Sequence, residues 1–259
     1  MTKEIKSTYD ELLARQDYLV VQSNDLAKAF GRLTSFEHRV LDFCFSYVHK
    51  DSKPSDVFVI DFISLLKHFG LGNSGKNYMA VANAFKSLSE KTPLRLPYIE
   101  PDGTRSIIFT NLFSYISLNE KGVAKVKYSE IVAPHVFELK KNFYSFKLSE
   151  LANVKGKYAL IMLKQWQSHK YGNNKTTVIN TDLKEWQEWF LGENKEWTAG
   201  RFKKDVLEVA KTEIEKLFNV SITITNLKRG RKVIGYEVEI LDNRKETDAD
   251  FFKEYLSDI

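Results

Sequence analysis

Apolar and polar positions alternate along this chain in two rhythms, one helical and one extended, and the order in which they follow each other predicts its elements. Leu19, Val20 and Val21 read as a strand. From Ser35 to His49 the apolar residues fall at Phe36, Val40, Phe43, Cys44, Tyr47 and Val48, the spacing that draws one stripe on a helix. Thr34 and Glu37 form a capping-box pair at its start. A short apolar strand, 56–60, then leads into an amphipathic helix carrying Phe62, Ile63, Leu65, Leu66 and Phe69, which Gly70 stops. The Gly/Asn/Ser turn 70–75 opens a third helix, from about Lys76 to Glu90. Extended segments follow at 94–99 and 106–118, joined by Pro101-Asp102-Gly103, and at 123–128 after a Glu120-Lys121-Gly122 turn.

The second half repeats this order. A helix is expected from about Lys157 to His169 and a strand at 176–179, followed by a helix carrying Leu183, Trp186, Trp189, Phe190 and Leu191 that Gly192 stops. A third helix runs from about Thr198 to Phe218, ahead of a hairpin, 220–227 and 233–241, with Lys228-Arg229-Gly230-Arg231-Lys232 at its tip. Helix, strand, helix, turn, helix, hairpin is the element order of a winged helix. The expected architecture is therefore α+β, two tandem winged-helix domains related by an internal repeat. The first domain is expected over residues 1–136 and the second over 137–241, with the boundary where Pro134 interrupts a helical stretch between Ala133 and Asn142.

Charge adds a partner class. The 259 residues carry a net charge of +5, but the last eighteen, 242–259, hold six acids against three bases, which leaves a body at +8 and an acidic tail. A positive body attracts polyanions by steering and counterion release, so nucleic acid is the first partner to consider. No apolar run approaches the roughly 20 residues of a bilayer span, and residues 1–9 are polar, so no membrane is expected and a cytoplasmic location is. The single cysteine, Cys44, lies on an apolar helical stripe and reads as an inert buried thiol.

In a winged helix the third helix enters the major groove and the hairpin lies along the backbone or minor groove. On the first third helix, Tyr78, Val81, Ala82, Phe85 and Leu88 share the core-facing arc, with Lys76, Ala80, Asn83 and Ser87 opposite. Lys76, Asn77, Asn83 and Lys86 are the candidate DNA contacts there, Asn83 for an adenine edge and Lys76 for a phosphate. An ordinary solvated surface is the competing reading. On the second third helix, Phe202, Val206, Val209, Ala210, Ile214 and Leu217 are expected inside. Lys195, Thr198, Arg201, Lys203 and Lys204 crowd its N-terminal turn, and Arg201 can fork onto a guanine. Glu208 can accept from cytosine or pair with Lys204 or Lys211 within the helix. Lys228, Arg229, Arg231 and Lys232 make a candidate phosphate clamp around Gly230, though basic hairpin tips also serve solubility alone. Arg95 and Arg105 are the corresponding, weaker candidates for the first domain's wing.

Other signals are declined. Gly70 to Asn77 comes within one residue of a nucleotide-binding phosphate loop, but Asn77 replaces the magnesium-ligating hydroxyl and a helix precedes it where that loop needs a strand. Leu12, Leu19, Leu26 and Leu33 repeat every seven residues, yet Leu19 lies in a strand and Gly31 breaks the last turn. The histidines His38, His49, His68, His135 and His169 are scattered, so neither a metal site nor metal support for a strand-nicking tyrosine is read. Carboxylates at Asp182, Glu185 and Glu188 fit solvated helix faces. Of Trp166, Trp186, Trp189 and Trp197, three fit the core, while Trp197 adjoins the basic helix start. No catalytic residue and no cofactor is expected.

Several stretches resemble one family. Val20-Val21-Gln22-Ser23-Asn24 with Leu26, Leu33-Thr34 with Glu37 and Arg39, and Tyr128 through Leu139 are similar to its first domain and inter-domain segment. Phe143-Tyr144-Ser145-Phe146-Lys147-Leu148 followed by Lys155-Gly156-Lys157-Tyr158-Ala159 resembles the start of its second domain. Phe202 through Leu207 with Ala210, Glu213 and Ile214, then Lys228 through Val233, resembles its second recognition helix and wing. The family is that of the replication initiators of iteron-containing, theta-replicating plasmids, tandem winged-helix proteins. The resemblance implies monomers that bind double-stranded origin repeats with both domains and dimers, formed through the first domain, that bind an operator inverted repeat and repress their own gene. It also implies recruitment of host replication-initiation and helicase-loading proteins and a part in plasmid copy number control. A winged-helix transcriptional repressor without an initiation role shares every DNA contact and stays open. Gly156 stands where the family often has a larger residue, and the acidic tail lies outside its pattern.

Overall fold

The computed structural model describes residues 19–23, 31–48, 51–99, 101–102, 105–133, 143–147, 151, 153–170, 174–192 and 195–244. The expected domain boundary within 134–142, the zipper positions Leu12 and Leu26, and most of the acidic tail lie outside them.

The first domain is built on α1 (Ser35–Phe45), β2 (Phe58–Asp61), α2 (Phe62–His68) and α3 (Gly75–Lys91), with β1 (Leu19–Ser23) ahead of them. Two hairpins follow, β3 (Pro93–Ile99) with β4 (Arg105–Asn111) and β5 (Phe113–Leu118) with β6 (Val123–Tyr128). The second half of the chain runs β7 (Phe143–Lys147), α4 (Lys157–His169), β8 (Thr176–Asp182), α5 (Leu183–Leu191), a third helix α6 (Ala199–Leu217), then β9 (Val220–Arg229) and β10 (Lys232–Asp242). Strand orders β2-β6-β5 and β8-β10-β9 make two three-stranded antiparallel sheets of the same topology. Local chemistry repeats with the topology. Asp61 and Asp182 each end a strand and cap the next helix, accepting from the N–H of Ser64 at 2.8 Å and of Glu185 at 2.9 Å. Gly70 and Gly192 end those helices with φ of 66° and 82°, a backbone region that favours glycine.

Helix α1 carries both halves of its capping box: Thr34 N–H donates to Glu37 Oε2 at 2.7 Å and Glu37 N–H to Thr34 Oγ1 at 3.3 Å. It ends at Phe45, short of the expected His49, where the Ser46 hydroxyl donates to the Phe43 carbonyl at 2.7 Å. The stretch expected as one strand over 106–118 is two. Leu112 turns into the core between them, its N–H donating to the Thr92 carbonyl and its own carbonyl accepting from Ser129 N–H, so the chain changes sheets there. Consequently β3–β4 is an inserted hairpin. The first domain's counterpart of the β9–β10 wing is β5–β6, which corrects the placement of the wing at Arg95 and Arg105.

Helix α6 is not a uniform α-helix: Ala199–Phe202 is α-helical, Lys203–Leu207 is a π turn, and Glu208–Leu217 is α-helical again. A π turn bonds i to i+5, so a wheel drawn for 3.6 residues per turn drifts beyond Lys203. Leu207 is buried, whereas Val209, expected inside, is 49% exposed. Leu217 is 40% exposed because the helix ends there and Phe218 is already extended.

The two domains share one cluster of buried apolar side chains. Strand β1 pairs antiparallel with β7 from Leu19↔Lys147 to Ser23↔Phe143, and the equivalent helices α1 and α4 pack together. Between those helices Lys164 Nζ lies 2.7 Å from Asp42 Oδ1, with 3% and 0% of the two side chains exposed, and 3.2 Å from His38 Nδ1. Gly31 is pressed against the end of α5, where a Cβ would come within 2.7 Å of Gly192 N and of the Trp189 carbonyl oxygen. Elsewhere the Glu213 carboxylate accepts from Lys155 N–H at 2.7 Å and Gly156 N–H at 3.0 Å, capping α4 from α6. A Cβ on Gly156 would lie 2.1 Å from that carboxylate, so a larger residue here would require the Glu213 side chain to shift.

Burying an ion pair is costly, and removing only one member strands the other charge. Lys164→Met is therefore expected to lower unfolding free energy in urea by about 3 to 5 kcal/mol, and adding Asp42→Leu to recover most of that loss. Equal losses in the single and double variants would contradict the pairing.

Candidate nucleic-acid interface

Each candidate surface is the outer side of a helix whose inner side a sheet and two other helices hold, α1 and α2 for α3 and α4 and α5 for α6. In α3 the residues Val81, Ala84, Phe85 and Leu88 are buried, and Phe62 stacks on Phe85 with ring centroids 5.8 Å apart. The β5–β6 turn supports the same helix, with Gly122 (φ 75°) so close to Tyr78 that a Cβ would meet its ring at 2.6 Å. Lys76, Asn83 and Lys86 are exposed on the far side. Asn77 is committed to the turn before the helix: its Nδ2 donates to the Gly72 carbonyl at 2.7 Å. Ser87, expected outward, is half-buried and hydrogen-bonds Glu37. Burial pushes the Glu37 carboxyl up, but Lys91, at 2.9 Å, with Ser87 and Thr34 outweighs it and holds the group below the usual carboxylate range. Met79, which the sequence reading omitted, is 61% exposed and lies three and four residues from Lys76 and Asn83. An apolar residue off the buried stripe was the signal for it.

In the second domain several hydrogen bonds fix the start of α6. Trp186 Nε1 donates to the Tyr236 carbonyl at 2.9 Å, and the Tyr236 hydroxyl donates to the Ala199 carbonyl. Thr198 caps the helix, its hydroxyl accepting from Arg201 N–H at 3.4 Å. Lys203 reaches back to β9, donating to the Ile224 carbonyl at 3.1 Å and Asn226 Oδ1 at 3.2 Å. Its ammonium also lies 3.9 Å from Glu208, the i,i+5 pair that a π turn creates in place of the expected partners Lys204 and Lys211. Lys203 thus fastens the helix to the wing, whereas Lys204 is exposed. Arg201, with a 59% exposed side chain, lies over the Trp197 ring at 3.9 Å and 3.5 Å from Asp205.

The wing extends beyond the three-stranded part of its sheet, since β8 pairs with β10 only from Gly235 onward. Strands β9 and β10 pair up to Arg229↔Lys232, so Gly230 (φ 61°) and Arg231 alone make the turn, and Lys228, Arg229, Arg231 and Lys232 are all exposed. A register shift between Val233 and Gly235 bends the returning strand at its base. Lys195, Trp197 and Lys232 line one groove of about 570 Å³ together with Asp182, Glu188 and Glu196, so the helix lead-in and the wing base share a surface. The first domain's wing is less basic: Lys121 is exposed at its tip and Lys125 on β6, both overlooked in the sequence. Trp166, Trp186 and Trp189 are core residues, and burial pushes the Cys44 thiol well up, as expected for an inert group. Among the described residues no group of three His, Cys, Asp or Glu can hold a metal ion, and no helix is long and apolar enough to cross a membrane.

Residues 19–167 match the family model described as Initiator Replication protein, WH1, and residues 182–240 that described as Initiator Rep protein, WH2. The chain belongs to the initiator replication protein family. Among solved structures, the Pi initiator protein in complex with iteron DNA is similar in fold to this Rep chain, with a TM-score of 0.71 at 16% identity over 89% of this chain and 99% of that one. Domains 2 and 3 of RctB give a TM-score of 0.46 at 13% identity, over 87% of this chain and 86% of that one. No curated protein matches the sequence.

The geometry of this Rep chain separates two adjacent lysines. Lys203→Ala is expected to destabilise the fold by about 1 to 2 kcal/mol, read as a lower thermal midpoint, because it unties α6 from β9. Lys204→Ala is expected to leave the midpoint unchanged and, if it meets a phosphate, to reduce the slope of log K against log salt by about 1.

Proposed function

We propose that this Rep protein initiates plasmid replication by binding repeated origin DNA sequence-specifically, its two winged helices reading successive major-groove segments. The observation that carries the reading is the exposed cationic surface of α6 and its wing, Arg201, Lys204, Lys228, Arg229, Arg231 and Lys232, anchored by a buried framework in a chain of the initiator family. Lys195 extends it along the shared groove. On α3, Asn83 suits an adenine edge and Met79 a thymine methyl, while Lys76 and Lys86 suit phosphates. Thr198, Asn77 and Lys203 serve the surface by shaping it. That the Pi initiator binds iteron DNA supports repeats as the target.

The division into domains belongs to the same proposal: residues 1–136 form the first reading head and dimerisation unit, 137–241 the second and stronger one, and 242–259 an acidic tail, except that its first residue, Asp242, closes β10 and pairs with Lys170 and Arg244. The protein acts by binding, without cutting DNA, in the cytoplasm. It recruits host helicase-loading proteins at the origin and, as a dimer on an inverted repeat, represses its own gene.

A plasmid that lacks its own initiator but carries the DNA protected by this protein upstream of its gene tests the role. Maintenance of that plasmid when the protein is supplied is the expected result. Repression of the gene without maintenance would make the protein a transcriptional repressor, and nicking of supercoiled DNA with magnesium would make it an enzyme. At the level of contacts, Arg201→Ala is expected to cost about 1 to 3 kcal/mol on the protected repeat and less on random duplex. Equal losses on both would make Arg201 a phosphate contact.

A further inference from the structure

The Arg201 side chain combines surroundings that a phosphate contact does not need. Its guanidinium lies 3.9 Å over the Trp197 ring, closer than Arg39 over Phe69 at 4.9 Å or Arg244 over Trp166 at 5.0 Å. The edge carrying Nε faces Asp205 Oδ2 at 3.5 Å, one helical turn on. Neither terminal nitrogen meets a hydrogen-bonding partner among the described residues.

The platform itself is fixed. Gln187, buried on α5, grips the peptide groups of Trp197 from both sides: Trp197 N–H donates to Gln187 Oε1 at 2.6 Å, and Gln187 Nε2 donates to the Trp197 carbonyl at 2.9 Å. The half-buried indole also packs on the core. A residue in the lead-in to α6 is thereby tied to the helix beneath it. Two residues after Arg201 the Lys203 ammonium is bound to β9, so the chain is held before and after the arginine.

We propose that Trp197 and Asp205 are positioning residues that hold Arg201 as a pre-aimed fork for a guanine edge. The inference rests on reading α6 as the recognition helix. A flexible arginine must lose rotamer freedom when it binds, and one already stacked on a fixed ring has lost most of it. Asp205 adds selectivity of a second kind. Its negative charge beside the guanidinium offsets attraction to a phosphate, while the planar pair of terminal donors still matches guanine O6 and N7. The trio thus favours a base edge over the backbone.

The test uses the full chain and a duplex carrying the repeat it protects, with each guanine replaced in turn by 7-deazaguanine, which lacks the N7 acceptor. Binding is measured for the unaltered protein and for Trp197→Ala, Trp197→Phe, Arg201→Ala, Asp205→Asn and the Trp197→Ala/Arg201→Ala double variant. One 7-deaza position is expected to weaken the unaltered protein and to leave Arg201→Ala indifferent. Trp197→Ala is expected to lose about tenfold on the repeat, with random-duplex affinity and salt slope unchanged. Trp197→Phe retains most of the affinity, and the double variant binds no worse than Arg201→Ala alone. Asp205→Asn, which leaves the core untouched, binds random duplex more tightly and narrows the ratio between repeat and random DNA. Losses in Trp197→Ala that are equal on both duplexes, or that add in full to those of Arg201→Ala, would overturn the positioning role, as would an unchanged ratio in Asp205→Asn. No loss in Arg201→Ala itself would remove the reading of α6 as well, so the two failures are distinguishable.

Discussion

The sheet and the two helices that pack on α3, and again on α6, bury only one side of it, and that constraint, met twice, shapes this molecule. In α3 and α6 the apolar side is sealed by aromatic contacts from α2 and α5 and by the strands beneath them. The other side must then face outward, and it carries Lys76, Met79, Asn83 and Lys86 on one helix and Arg201 and Lys204 on the other. Burying each large apolar side chain contributes about 1.5 to 3 kcal/mol, and this is what keeps the polar side presented. The exposed chemistry is thus a consequence of the buried packing. A surface of this kind is rigid because its inner half is a close-packed interior.

The domains are also fastened to each other. The β1–β7 pairing, the contact of α1 with α4 and the enclosed Asp42–Lys164 pair join elements that occupy equivalent places in the two halves. A buried charge pair contributes little net stability, but separating its members would strand a charge in the interior, so the two helices are held with Asp42 and Lys164 in contact. For two helices proposed to read successive stretches of one duplex, a fixed spacing matters as much as either surface alone.

Much of this was legible in the residues. The capping box at Thr34 and Glu37, the glycines that stop α2 and α5, and the buried stripe of α3 follow from short-range rules, and the repeat follows from their order. What escaped depends on contacts distant in sequence or on departures from regular winding. Nothing local announces that Leu112 turns inward and splits a strand, because its partners are Thr92 and Ser129. That split moved the first wing from β3–β4 to β5–β6. The π turn defeated a wheel that assumed uniform α-helix, exposing Val209 and giving Glu208 the partner Lys203. Arg201 was readable as a candidate from its type and place, yet the grip of Gln187 on Trp197 beneath it appears only in three dimensions. Gly156 was visible as a departure from the family's pattern, but the Glu213 carboxylate that accepts from its N–H lies 57 residues away.

Hydroxyl-radical footprinting of the origin duplex with the unaltered protein, Asn83→Ala and Arg201→Ala tests most directly whether both outward helices contact DNA. The account requires two adjacent protected segments on one side of the duplex, with Asn83→Ala weakening protection in one and Arg201→Ala in the other. If both substitutions weakened the same segment, or if Asn83→Ala changed nothing, the molecule would have a single reading helix and the account would be wrong.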